Sequence, residues 1–416
     1  MVVSSLGASS PRPALGRLKG TYHALQDRII DFSARKGDFR RRDHAVQADG
    51  PPGPCRGDAC VYPTINDNHS RPEIPLPHAS IQVDVFGKTD LGQTRDHNED
   101  TFIVADLTHD KASLLPEVRH HSVGDRGSLF MVADGMGGAA AGELASAMAA
   151  DLVHSHLATA WMEDADDSLE QFASRLREAL DIANRRINSY AGQRPEVQGM
   201  GTTATAAGVL GTHLIMAQVG DSRAYLIRNG EAVQVTKDQS WTQRLVDAGK
   251  MTEEQAEASD KRNIILQALG PEPNVVVELT VQDLREGDVL VLCSDGLTGN
   301  VGGDEIAKVV TAHPDPADAC SELISMANDR GGPDNITVVV ARFTGDALAT
   351  PGQDSEPSYN VYELEEGLEE EETEEYAVSE DDQDPAAIRD FQRFIIPAMI
   401  AGLILAIVAF YFATRA

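Results

Sequence analysis

Ten short apolar runs crowd into the stretch from Ile81 to Phe343, and they constrain the fold more than any other feature. IQVDVFG, TFIVAD, SLFMVAD, TATAAGVLG, HLIMAQVGD, AYLIR, AVQVT, NVVVELTV, DVLVLCSD and NITVVVARF are each of strand length and bounded by turn-forming residues. One strongly twisted sheet rarely holds so many strands. Between AYLIR and AVQVT the sequence RNGE offers Asn229-Gly230, a pair suited to a tight hairpin. Helical periodicity comes in pairs: Gly142 to about Trp161 with Leu169 to Tyr190, then about Gly303 to Thr311 with Pro316 to Asn328. Strands grouped with strands and helices in pairs predict an α+β domain of two packed sheets with helices outside.

The flanks differ in composition. Residues 1–80 are rich in Pro, Gly, Ser and charge, as in DGPPGPCRGD, and read as a disordered arm. Within it Leu15, Leu18, Tyr22, Leu25 and Ile29 recur at helical spacing, a transient amphipathic helix without function, or else a docking or membrane-surface helix. Residues 81–344 form the compact domain. Residues 345–388, with ELEEGLEEEETEE, read as a self-repelling acidic linker, roughly 35 to 40 Å end to end if flexible. Residues 389–416 contain the uncharged run Phe394 to Ala413, which as a helix is about 30 Å long, the thickness of a bilayer core. The expectation is a single C-terminal transmembrane helix, inserted late because no signal sequence precedes it and only Thr414, Arg415 and Ala416 follow the run, with the domain on the cytoplasmic side of the cell membrane.

A formal net charge of −31 excludes nucleic acid as a natural partner, since phosphate backbones repel such a surface. The four cysteines Cys55, Cys60, Cys293 and Cys320 are too few and too scattered for a disulfide framework or a zinc ribbon.

The chemistry lies where apolar runs meet acids. LFMVADGMGG drives a strand into Asp134 and then glycines, so the carbonyl of Gly135 is itself a candidate ligand. VLVLCSDGLTG repeats the pattern at Asp295, and GGPDNITVVVARF inverts it at Asp334. RDHNEDTFIVAD places Glu99 and Asp100 before a strand with Arg95 upstream, and VGDSRAYLIR sets Asp221 between two strands. Acids at several strand ends tend to gather at one edge of a sandwich, where they cannot all ionise without cations between them. The donors are oxygen only, which suits Mg²⁺ or Mn²⁺. His97 lacks a partner at ligand spacing, Cys293 belongs to the strand body, and His120-His121 reads as a solvated loop pair. Two hard cations bridged by Asp134 would lower the pKa of a water for attack on phosphorus, and Arg95 offers a planar fork for phosphate oxygens.

The ordered set RDHNED, ADGMGG, GTTAT, GDSRAYLIRNG, SDGLTG and GGPDNITV resembles the metal-dependent type-2C protein phosphatases, in particular their bacterial branch, over about Val83 to Phe343. The resemblance implies a four-layer αββα sandwich of two mainly antiparallel sheets, with metals at one edge between them. It implies phosphoserine and phosphothreonine hydrolysis with two core Mn²⁺ or Mg²⁺ ions and a third, weaker one. Asp134 is similar to the carboxylate bridging both core metals, and Gly135 to the residue whose carbonyl binds the first. Asp295 and Asp334 resemble ligands of the second, Asp100 one acting mainly through water, and Asp221 a ligand of the third. Arg95 matches the phosphate-binding arginine, and about Lys237 to Leu269 falls where the family carries a mobile flap. Eukaryotic members usually have His where Met136 stands, so the general acid is unassigned, with a metal-bound water the candidate.

The expected function is a membrane-tethered serine/threonine phosphatase acting on phosphorylated proteins, kinases included, and opposing cytoplasmic kinases. The alternatives are a dedicated regulatory-switch phosphatase and a non-catalytic phosphoprotein-binding module, the latter disfavoured by so complete a carboxylate set.

Overall fold

The structure is a computed structural model that describes residues 80–113, 116–138, 140–352 and 355–364. The N-terminal arm with Cys55 and Cys60, most of the acidic linker and the apolar run at 394–413 lie outside the described residues. Among the described residues no helix is long and apolar enough to cross a membrane.

The chain opens with β1 (Gln82–Asp90), β2 (Thr101–Asp106), the short β3 (Lys111–Ala112), α1 (Pro116–Arg119) and β4 (His120–Ser122). Next come β5 (Ser128–Ala133), β6 (Gly135–Met136), and α2 (Ala141–His156), which a π turn extends to Trp161, then α3 (Leu169–Gly192). Five strands follow: β7 (Gly201–Thr202), β8 (Ala204–Leu210), β9 (His213–Val219), β10 (Arg223–Arg228) and β11 (Glu231–Gln234). Two short helices, α4 (Trp241–Asp247) and α5 (Glu253–Glu257), precede β12 (Glu278–Asp283) and β13 (Val289–Cys293). The last elements are α6 (Asp295–Thr298), α7 (Gly303–Ala312), α8 (Pro316–Asp329) and β14 (Ile336–Thr344).

Two six-stranded sheets result, ordered β11-β10-β13-β14-β1-β4 and β12-β9-β8-β5-β2-β3, and every pairing in them is antiparallel. The period-two alternation of side chains assigns each strand residue to a layer. In β5, Phe130 and Val132 face the other sheet, beside Leu290, Leu292, Val339 and Phe343. Its alternate residues Leu129 and Met131 pack under α2 and α3 with Trp161, Phe172 and Leu176. In β13, Val289, Val291 and Cys293 turn the other way, onto Ile306, Val310 and Leu323 of α7 and α8. Central strands are buried on both faces, hence their continuous apolar runs. Three cores between four layers make the αββα sandwich, α+β with antiparallel sheets as the strand count predicts.

The helix starts follow capping chemistry. The Ser168 hydroxyl accepts from Gln171 N at α3, and Asp315 accepts from Ala317 N at α8 with Pro316 in the first turn.

Three expectations need correcting. The run NVVVELTV becomes strand only from Glu278, because Asn184 Nδ2 bonds the Pro273 carbonyl and Val276 N bonds Gln267 Oε1, holding the preceding residues as loop. His121 is not solvated. It is 8% exposed, and its ring bonds the Val118 carbonyl and Ser128 Oγ, since the middle residue of β4 points inward. Residues 355–364, expected to be linker, instead dock on the free edge of β12. Val281 N donates to Asn360 O and Tyr362 N to Leu279 O, while Tyr362 and Leu364 pack against the helix-side core. An open edge accepts any extended segment with apolar residues at alternate positions, which composition alone conceals.

Candidate metal centre

Antiparallel register gathers the acids. Thr101 pairs with Ala133 and Val132 with Thr205, so Asp100 before β2 and Asp134 after β5 share one rim of their sheet. Ala204 opposite Val219 brings Asp221, two residues past β9, to the same rim. In the other sheet Cys293 pairs with Arg223 and Val338, setting Asp295 after β13 beside Asp334 before β14. The rims meet at Asp100, whose Oδ2 accepts from Ser294 Oγ at 2.8 Å and Thr337 Oγ1 at 2.7 Å, both from the opposite sheet.

The Asp134 backbone is clamped. Its N–H donates to Thr203 Oγ1 at 2.9 Å, and its carbonyl accepts from Thr203 N at 2.8 Å and Thr202 Oγ1 at 2.9 Å. This is the work of the GTTAT motif, to which the sequence reading gave no role. The glycine after Asp134 has a packing cause as well. A side chain at Gly135 would stand 2.2 Å from the Gly142 carbonyl and 2.5 Å from that of Glu99. Gly135 therefore pairs with Thr202 in a two-stranded ladder that brings β6, α2 and residue 99 together.

Asn335 is the other positioning residue that sequence reasoning missed. Its amide donates to the carbonyls of Leu91 and His97, both at 3.0 Å, and its oxygen accepts from Glu99 N at 2.9 Å. It thus pins the RDHNED loop against Asp334. Its place in PDN, beside a candidate ligand and ahead of a strand, was the available signal. Arg95 stands half-exposed at the rim with Nη2 2.7 Å from Asp334 Oδ2. His97 is an exposed loop residue and Cys293 a buried core residue, as expected.

The electrostatics are those of buried carboxyl groups crowded together. Burial, then repulsion from Asp100, Asp295, Asp221 and Asp334, holds Asp134 well above the ordinary carboxylate range. Burial also raises Asp221 to about 8, with Asp295 the next cause, and Asp100 to about 7 against its two hydroxyl bonds. Asp295 is raised by burial and by Asp334, and its carboxyl is in hydrogen-bond contact with that of Asp134. Asp100 Oδ1 and Asp295 Oδ1 are buried without a protein partner. Unpaired buried oxygens amid mutual repulsion are what hard divalent cations would satisfy, so the residues present fit such ions. Among the described residues no three His, Cys, Asp or Glu side chains form a ligand set by themselves. The fit rests instead on the crowded carboxyl groups and their unpartnered buried oxygens.

Comparison with known proteins agrees. The family model for Protein phosphatase 2C matches residues 116–336. Protein phosphatase PhpP of Streptococcus pneumoniae is 36% identical over 252 residues, covering 61% of this chain and 94% of that protein. Serine/threonine protein phosphatase PstP of Mycobacterium tuberculosis is 41% identical over 214 residues, covering 51% of this chain and 40% of PstP. Among solved structures, the Streptococcus agalactiae serine/threonine phosphatase is similar with a TM-score of 0.54 at 36% identity, covering 62% of this chain and 98% of that one. The PstP catalytic domain in complex with two manganese ions is similar at a TM-score of 0.51 and 35% identity, covering 64% of this chain and 99% of that one. A match over more than half of this sequence, and over nearly the full length of PhpP, establishes that the chain belongs to the protein phosphatase 2C family and is a serine/threonine protein phosphatase.

Proposed function

We propose that this enzyme hydrolyses phosphoserine and phosphothreonine in proteins with Mn²⁺ or Mg²⁺, opposing cytoplasmic serine/threonine kinases. The observation that carries this reading is the convergence of Asp100, Asp134, Asp221, Asp295 and Asp334 on one rim, with unpartnered oxygens. Asp134, the Gly135 carbonyl, Asp295 and Asp334 would hold two ions, with Asp100 acting on their waters and Asp221 on a third ion. The two manganese ions of the PstP structure support a two-ion centre. Bound divalent cations supply Lewis-acid charge neutralisation and a nucleophilic water at neutral pH.

The chain's own residues do the rest. Thr202 and Thr203 fix the Asp134 backbone, so its carboxylate needs no reorganisation during turnover. Arg95, at the rim, exchanges its Asp334 contact for two phosphate oxygens and orients the ester. Met136 carries no transferable proton, so the leaving oxygen takes its proton from water at the centre. The apolar run at 394–413 supports a membrane tether that keeps the domain at the cytoplasmic face.

The test is phosphate release from phosphoserine, phosphothreonine and phosphotyrosine peptides in Mn²⁺ and in chelator. Release from the first two that chelator stops is expected; release that survives exhaustive chelation overturns the metal reading.

A further inference from the structure

Gln218 carries chemistry that the fold does not call for. Leu214 and Met216 of β9 face the core between the sheets, and residue 218 is next on that face. It is nonetheless an amide, 1% exposed, where an apolar side chain would carry no desolvation cost. Both amide donors and the amide oxygen are used. Nε2 donates to the Gly220 carbonyl at 3.1 Å and to the Ser222 carbonyl at 2.8 Å, and Oε1 accepts from Thr205 Oγ1 at 2.7 Å. Thr205 lies opposite Gln218 in β8, so a cross-strand partner sets the orientation of the amide.

The turn that this amide grips carries Asp221, which is 6% exposed. The two captured carbonyls flank it, Gly220 before and Ser222 after. The same turn is pressed against the clamp on Asp134. A β-carbon at Gly220, whose φ is +103°, would stand 2.7 Å from Thr203 Cγ2, so only glycine fits there. Thr203 Oγ1 lies 2.8 Å from Ser222 Oγ and also accepts from Asp134 N. Asp221 is thereby held from two directions, by Gln218 from its own strand and by Ser222 through Thr203 to Asp134. Protein hydrogen bonds set the spacing of these two carboxyl groups.

We infer that Gln218 is a positioning residue for Asp221: by holding the carbonyls of Gly220 and Ser222 it fixes the carboxyl that would meet the third, weaker ion, and so sets that ion's affinity separately from the core pair. The inference rests on the metal-dependent phosphatase reading of the centre, and on its third ion in particular. A ligand that loses its outer hydrogen-bond support loses affinity for its ion, typically by ~10–100-fold. The bonds that clamp Asp134 come from Thr202 and Thr203 and do not involve Gln218, so the core pair is left alone.

The experiment replaces Gln218 by methionine, of similar length and without donors, and titrates the metal-free protein with Mn²⁺ by calorimetry. Wild type should take up two tight ions and a weaker third. Gln218→Met should weaken the third by about tenfold or more and leave the core pair unchanged. Asp221→Ala should lose the third ion. Adding Gln218→Met to Asp221→Ala should then change neither the core affinities nor kcat, since a positioning residue acts only through the group it positions. Thermal melting in EDTA follows the fold of each variant. If Gln218→Met does not melt cooperatively, Thr205→Val removes only the hydroxyl that fixes the amide and should weaken the third ion about threefold, as the loss of one hydrogen bond does. A third ion bound as tightly by the variants as by wild type overturns the inference. So do core ions weakened as much as the third, or an effect of Gln218→Met that persists without Asp221, either of which would make Gln218 general scaffold. Wild type that takes up only two ions overturns the third-ion reading and the inference with it. Failure to hydrolyse a phosphothreonine peptide overturns the phosphatase reading instead, and the titration still decides the role of Gln218.

Discussion

Replacing Asp100 by asparagine should stabilise the metal-free domain while destroying activity. Asp100 is 8% exposed; one oxygen is held by Ser294 and Thr337 and the other has no partner. Burial, reinforced by Asp295 and Asp334, raises its carboxyl from 3.8 to about 7. A rise of that size corresponds to about 4 kcal/mol of penalty on the ionised form. Relaxation and water entry reduce it to about 2 kcal/mol. An amide keeps an oxygen for the two hydroxyl donors, and its unpaired N–H costs about 1 kcal/mol. The net gain of about 1 kcal/mol raises Tm by roughly 2–4 °C in a domain of this size. The pH dependence has a fixed sign. Because the folded pKa lies above the unfolded one, the wild-type contribution is intact below 3.8 and lost as pH rises through about 7. The Asp100→Asn variant should remove that slope. Thermal unfolding by circular dichroism in EDTA, across this pH window, measures both effects. Saturating Mn²⁺ should reverse the order, since the wild type binds the ion more tightly. A variant melting below wild type in EDTA near neutral pH would refute the reasoning.

Asp134→Ala should abolish turnover of a phosphothreonine peptide while the fold persists, and a near wild-type rate in Mn²⁺ would rule out the bridging role. Arg95→Ala should lower kcat/KM about tenfold or more with Mn²⁺ affinity retained in calorimetric titration, since its partner is the phosphate; a lost metal site would make Arg95 part of the scaffold. Truncation after residue 352 should lower Tm by several degrees relative to truncation after residue 388, because it strips the strand from β12 and removes the Ser355 carbonyl bonded to Arg228; equal melting would show that the docked segment adds nothing. Deletion of residues 389–416 should release a soluble enzyme with kcat nearly unchanged on a short peptide, and full-length protein that stays soluble without detergent would refute the tether.

Much of this protein was legible in the sequence because its signals are local. Continuous apolar runs such as VLVLC mark strands buried on both faces, and their number forces two sheets. An acid at the end of such a run, as at Asp134 and Asp295, is placed by the strand itself and is costly without a counter-charge. What the sequence could not contain is which rims meet. Only the stacking of the sheets brings Ser294 and Thr337 onto Asp100, Thr203 onto Asp134, and Asn335 onto the loop of Arg95. Each bond joins residues scores to hundreds of positions apart, and a hydroxyl beside an apolar run looks the same with or without a partner. The docked segment at 355–364 escaped for a related reason. Its composition is that of a linker, and it is ordered only because β12 offers an unpaired edge. Residue types declare the chemistry the chain can do; which groups share a site is decided by antiparallel register and sheet stacking, both relations between distant parts of the chain.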